Sequence, residues 1–83
     1  MMTMRHEGIS EEVFEAIEDG VPPVRAFRVE TEITIGELAE DTGIPMVRLD
    51  AIEEGATPKD EELKAISEAL HVAPEILAEA IAA

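Results

Sequence analysis

Acids dominate the side chains that could do chemistry in this chain. Asp and Glu together number 20 against 6 Lys and Arg, for a net charge of −14. Carboxylates can serve as general acids and bases, but these follow the outward positions of helical patterns and read as solvated faces. Ser10 and Ser67 are the only serines, and neither has a histidine at a motif spacing. No glycine-rich loop is placed to cradle a phosphate. Cysteine is absent, which removes disulfides and thiolate metal sites. His6 and His71 are the only histidines. Two imidazoles far apart in sequence and with no cysteine beside them do not suggest a metal centre. No catalytic residue, metal or cofactor is therefore expected.

So acidic a surface repels phosphate backbones and anionic membranes and attracts basic partners. The bland alternative is that the acidity serves solubility alone. No signal peptide is expected, since the N-terminus has no apolar h-region. No apolar run approaches the ~20 residues of a membrane span. With no cysteine to protect, a reducing cytoplasm fits. A chain of 83 residues supports one small domain, which buries roughly 60–65% of the surface its unfolded form exposes. Apolar residues make up 46% of it, yet Phe14 and Phe27 are the only aromatics. The core must be built from Ile, Leu, Val and Ala, which suits packed helices.

The start and stop signals give an all-α chain. Met1 to Gly8 has no periodicity and is expected to fray. Ile9 to Gly20 predicts a first helix, with Ser10 as N-cap, Glu11 and Glu12 in its first turn, and Ile9 and Phe14 as a hydrophobic staple. Its apolar face is Val13, Phe14 and Ile17. Pro23 opens a second helix to Thr31, with Val24 and Phe27 one turn apart. Thr34 and Glu37 form a capping box for a third, which turns Leu38 and Ala39 inward and stops at Gly43. Pro45 to Glu54 follows, with Leu49 and Ile52 inward and Gly55 beyond. Thr57-Pro58-Lys59-Asp60 offers an N-cap, a proline at N1 and an acid at N3. The helix it starts buries Leu63, Ile66 and Leu70. Pro74 opens the last helix, with Ile76, Leu77, Ala80 and Ile81. Val29 to Ile35 alternates briefly, but the capping box at Thr34 argues against a strand.

Thr34 to Gly55 is the most informative stretch. Its two short helices meet at Asp41-Thr42-Gly43-Ile44, and the apolar spacing is that of a helix-turn-helix. Such units most often bind DNA, yet Arg48 is the only cation between Thr34 and Pro58, against six acids: Glu37, Glu40, Asp41, Asp50, Glu53 and Glu54.

The segments PVRAFR, IT.GELAEDTGI, L.AIEEG and P..EELKAISEAL.V resemble helix-turn-helix domains of the Cro and lambda-repressor, or XRE, type. The resemblance runs from about Pro22 to Leu77. It implies a five-helix lambda-repressor-like fold, with residues 21–83 as the domain and 1–20 as an N-terminal extension carrying one helix. It also implies a buried salt bridge between Arg28 and Glu53. ISEEVFEAIEDGVPPVRAFR is similar to the segment preceding the motif in antitoxins of the HigA kind, which partner small basic toxins of the RelE and HigB kind.

The resemblance places Ile35, Met46, Val47, Arg48 and Ala51 on the DNA side. Apart from Arg48 they depart from the pattern. Met46, Val47 and Ala51 stand where side chains read bases, and they offer at most a contact to a thymine methyl. Ile35 replaces a glutamine that usually binds phosphate. Glu54 falls at a backbone-contact position and would repel phosphate. Ala56 and Thr57 replace an often basic loop. Ile35, Met46 and Val47 look more like a protein-contact patch. Glu32 stands where the family tends to have a glycine ending a helix left-handed, and His71 is a similar substitution.

The leading expectation is an antitoxin-like helix-turn-helix transcriptional regulator. It forms a homodimer, acts with a basic partner and binds operator DNA chiefly as that complex. One alternative is a stand-alone regulator that binds double-stranded DNA by itself, which the charge disfavours. Another is a degenerate helix-turn-helix that binds only protein.

Overall fold

The computed structural model describes residues 9–82. His6 and the rest of the aperiodic segment 1–8 lie outside them. Six helices follow in order: α1 (Glu11–Glu18), α2 (Pro23–Thr31), α3 (Ile35–Thr42), α4 (Met46–Glu53), α5 (Asp60–Ala69) and α6 (Pro74–Ala82). Among the described residues there is no strand, so Val29 to Ile35 alternates without forming one. The count of five holds for residues 21–83, α2 to α6, and the extension's α1 makes six for the described chain. The extension's α1 lies on α2, and Val13 of α1 enters the same core as the helices that follow.

Most boundaries come from local chemistry. The Ser10 hydroxyl accepts the Val13 N–H at 3.2 Å, satisfying one of the amides a helix start leaves open. Pro22 and Pro23 begin α2, where a missing N–H costs nothing. Thr34 and Glu37 cap α3 reciprocally: Thr34 Oγ1 accepts the Glu37 N–H at 3.0 Å and Glu37 Oε1 accepts the Thr34 N–H at 2.8 Å. The start of α5 differs from expectation. It begins at Asp60, with Lys59 rather than Thr57 as N-cap, and Pro58 precedes the helix. Glu62 accepts the Lys59 N–H at 2.8 Å and so moves the cap two residues along.

Two helices end through non-glycine residues in the left-handed region. Glu32 has φ 65° and ψ 38° after α2, and its N–H meets the carbonyls of Arg28 and Val29. His71 has φ 60° after α5. Side chains other than glycine sit there at a cost of roughly 1–2 kcal/mol, which histidine tolerates better than most.

Leu38, Leu49, Ile66 and Leu77, from four different helices, are fully buried at the centre. Each contributes about 1.5–3 kcal/mol by leaving water. Val13, Val24, Ala26, Phe27, Ile44, Ile52 and Leu70 complete the core. Ala26 and Ile44 were not anticipated, and Leu63 is only half-buried. Ile44 follows the turn glycine and belongs to neither helical pattern, so periodicity could not find it. Ser67 is also buried, and its hydroxyl donates to the Lys64 carbonyl at 2.9 Å. No helix among the described residues is long and apolar enough to cross a membrane.

Candidate nucleic-acid interface

Gly43 sets the angle between α3 and α4. Its φ of 77° reverses the chain after Thr42, and its N–H closes onto the Ala39 carbonyl. The Thr42 hydroxyl donates to the Leu38 carbonyl at 2.7 Å and accepts the Ile44 N–H at 3.1 Å. The turn is thus braced from α3, and Pro45 starts α4.

The phase of α4 then follows from its period of 3.6 residues. Leu49, Ile52 and Glu53 face inward. Met46, Val47, Asp50, Ala51 and Glu54 face outward. Met46 is 51% exposed and Val47 79%. Ile35 separates from them: it is half-buried and packs against the core from the start of α3. The large exposed apolar side chains of this helix pair are therefore Met46 and Val47, without Ile35.

Glu53 anchors the far end of α4. Its carboxylate is almost fully buried and meets two guanidinium groups. Arg28 donates from Nε to Oε2 at 2.6 Å and from Nη2 to Oε1 at 3.3 Å. Arg25, on the same helix, donates from Nε to Oε1 at 3.3 Å. Arg28 also donates from Nη1 to the Ile33 carbonyl at 3.0 Å, which ties down the chain leaving α2. Arg25 was not foreseen. Its position three residues before Arg28, on the same helical face, was the available signal.

Arg48 is the one cation of the helix-turn-helix segment, and it is engaged. Its Nε donates to Glu62 Oε2 at 2.9 Å and its Nη2 to Glu62 Oε1 at 2.9 Å. Nη2 also donates to the Thr57 carbonyl at 3.1 Å. The hydrogen bonds from Arg48, followed by the Lys59 N–H, hold the Glu62 carboxyl at about 2, well below its ordinary 4.5. The same pairing raises the Arg48 guanidinium. Glu62 was also missed. It belongs to a run of acids at the start of α5, and spacing alone does not say which of them reaches back to α4.

The resulting surface carries two apolar side chains at the start of α4, a guanidinium bound to its own carboxylate, and the exposed acids Asp50 and Glu54. Of the cations among the described residues, all three arginines are held by carboxylates. Lys59 and Lys64 are exposed, and both belong to the α5 region. No group of His, Cys, Asp and Glu among the described residues is arranged to hold a metal ion.

A helix-turn-helix family model matches residues 24–77, which takes in α2 to α5 and the start of α6. No curated protein and no solved structure matches the chain. The match spans well over half of the sequence and is centred on the segment whose turn, caps and inward residues are described above. The chain belongs to the helix-turn-helix family of the XRE type, a family of DNA-binding regulators.

Proposed function

We propose that this chain is an antitoxin-like transcriptional regulator whose hold on operator DNA depends on a basic protein partner. The observation that carries this reading is the pairing of Arg48 with Glu62. Phosphate contacts supply most of the affinity of such domains, and each one lost removes about one unit from the salt dependence of binding. Here the only cation of the helix-turn-helix segment is already neutralised, and acids surround it. A basic partner would restore a positive surface and steer the pair onto DNA. A small basic toxin of the RelE or HigB kind has the required charge. The stretch from Ile9 to Arg28 would be the antitoxin-like segment, and the chain would act as a homodimer in the cytoplasm.

Fluorescence anisotropy with duplex genomic fragments tests the reading. The chain alone should bind no better than the ~10⁻⁴–10⁻⁶ M of nonspecific association at physiological salt. Copurified with a small, strongly basic product of the adjacent gene, it should bind tightly and with sequence preference. Nanomolar, sequence-specific binding by the isolated chain would overturn the proposal in favour of a stand-alone regulator.

One observation favours a protein-only reading. Met46 and Val47 are exposed at the start of α4, where a DNA-binding relative would present polar side chains to bases. A partner seated on them would block the groove-facing surface. Under that reading the complex, too, fails to bind DNA.

A further inference from the structure

We infer that Glu62 acts as a built-in competitor for DNA phosphate: its carboxylate occupies the guanidinium fork of Arg48 and so limits how strongly the α3–α4 surface binds a nucleic acid backbone. The inference rests on the reading of α4 as the DNA-facing helix and names the device that weakens it.

The geometry is that of anion recognition. Two adjacent donors, Nε and Nη2, each meet a separate oxygen of one carboxylate at 2.9 Å. A guanidinium presents the same fork to two phosphate oxygens. The competitor is also fixed in place. Glu62 Oε1 accepts the Lys59 N–H at the start of α5, and the Glu62 side chain is only 15% exposed. The Thr57 carbonyl holds Arg48 from a further side. A phosphate arriving at α4 must therefore displace an anion that is already oriented and hydrogen-bonded. On α4 itself it would find no substitute, since Met46, Val47 and Ala51 are apolar and Asp50 and Glu54 are acids; the exposed Lys59 beside the pair belongs to the start of α5.

Glu62→Gln is the informative variant. Glutamine also serves at the third position of a capped helix, so the start of α5 is retained while the negative charge is removed. Binding to a mixed-sequence duplex is measured by anisotropy between about 50 and 200 mM salt, the range over which phosphate contacts dominate the salt response. Glu62→Gln should bind on the order of three- to tenfold tighter at the low end. Its plot of log K against log salt should steepen by about 0.9, the value of one recovered phosphate contact. Arg48→Gln should leave the wild-type slope unchanged, and adding Glu62→Gln to it should not steepen the slope.

An unchanged slope in Glu62→Gln, no measurable binding by that variant at the lowest salt, or a steepening that survives the loss of Arg48 would each overturn the inference. A second measurement needs no variant. The Arg48 Nε–H resonance of the wild-type protein should stay in place on titration with the duplex, and a clear shift would show a guanidinium free to take phosphate. These tests use the chain without a partner. Failure of a basic partner to promote operator binding would defeat the proposed function and leave these comparisons standing.

Discussion

Arg28 reaches from α2 to grip Glu53 at the end of α4, with its Nε 2.6 Å from Oε2 and the carboxylate almost wholly withdrawn from solvent. One side chain thereby does two jobs. It neutralises a buried acid, and through its Nη1 bond to the Ile33 carbonyl it fixes the chain that leads into α3. The contact ties both the end of α4 and the chain entering α3 to α2, beside the apolar core these helices share.

Removing one partner of a buried pair strands the other, so Glu53→Ala or Arg28→Ala should each destabilise the domain by ~3–5 kcal/mol. That is a large share of the total for a domain of this size. Arg25→Ala should cost less than ~1 kcal/mol, because its side chain is 43% exposed and Arg28 remains. Denaturant melts check both. Losses under about 1 kcal/mol for Arg28→Ala and Glu53→Ala would place the pair in the range of surface contacts.

Glu32 occupies the left-handed region at φ 65° with its side chain exposed. Glu32→Gly should raise stability by up to ~1 kcal/mol, since glycine adopts this conformation without a Cβ penalty. The gain is partly offset by the greater freedom of glycine in the unfolded chain. A thermal melt showing a clear loss would mean that the carboxylate makes a stabilising interaction of its own.

The Glu62 carboxyl, lowered to about 2 from 4.5, gives stability a definite pH dependence. A group whose folded pKa is depressed binds its proton more readily when unfolded, so it favours folding above the unfolded value. Its contribution should be complete above about 4.5, fall as the pH drops, and vanish below about 2. Urea melts of wild type and Glu62→Gln should differ near neutrality and converge towards pH 2. A difference that stays constant across this window would assign the effect to something other than the ionised carboxylate.

The phase of α4 can be checked at neighbouring positions. Val47→Ser should change stability by less than ~0.5 kcal/mol, because Val47 is 79% exposed. Leu49→Ala should cost about 2–5 kcal/mol, since Leu49 is fully buried. Similar losses at both positions in equilibrium unfolding would mean that Val47 is covered, as by a second copy of the chain.

Features settled within one turn of the chain were legible in the sequence alone. The Thr34–Glu37 capping box, the Ser10 cap, the turn at Gly43 and the inward set Leu38, Leu49, Ile52, Ile66 and Leu77 all depend on residues three or four apart, where backbone geometry fixes who meets whom. The left-handed ends at Glu32 and His71 were legible only through the family pattern, because nothing in a glutamate or histidine announces a positive φ. The Arg28–Glu53 pair came from the family pattern, but the tertiary structure alone decided the state of Arg25 and Arg48. Arg48 and Glu62 are separated by 14 positions and Arg25 and Glu53 by 28. A sequence shows that Arg48 is the sole positive charge on its motif, but whether that charge faces a phosphate or a carboxylate depends on where α5 packs. Ile35 follows the same rule: its place at the start of α3 suggests a surface residue, and its partial burial comes from the neighbouring helices that cover it.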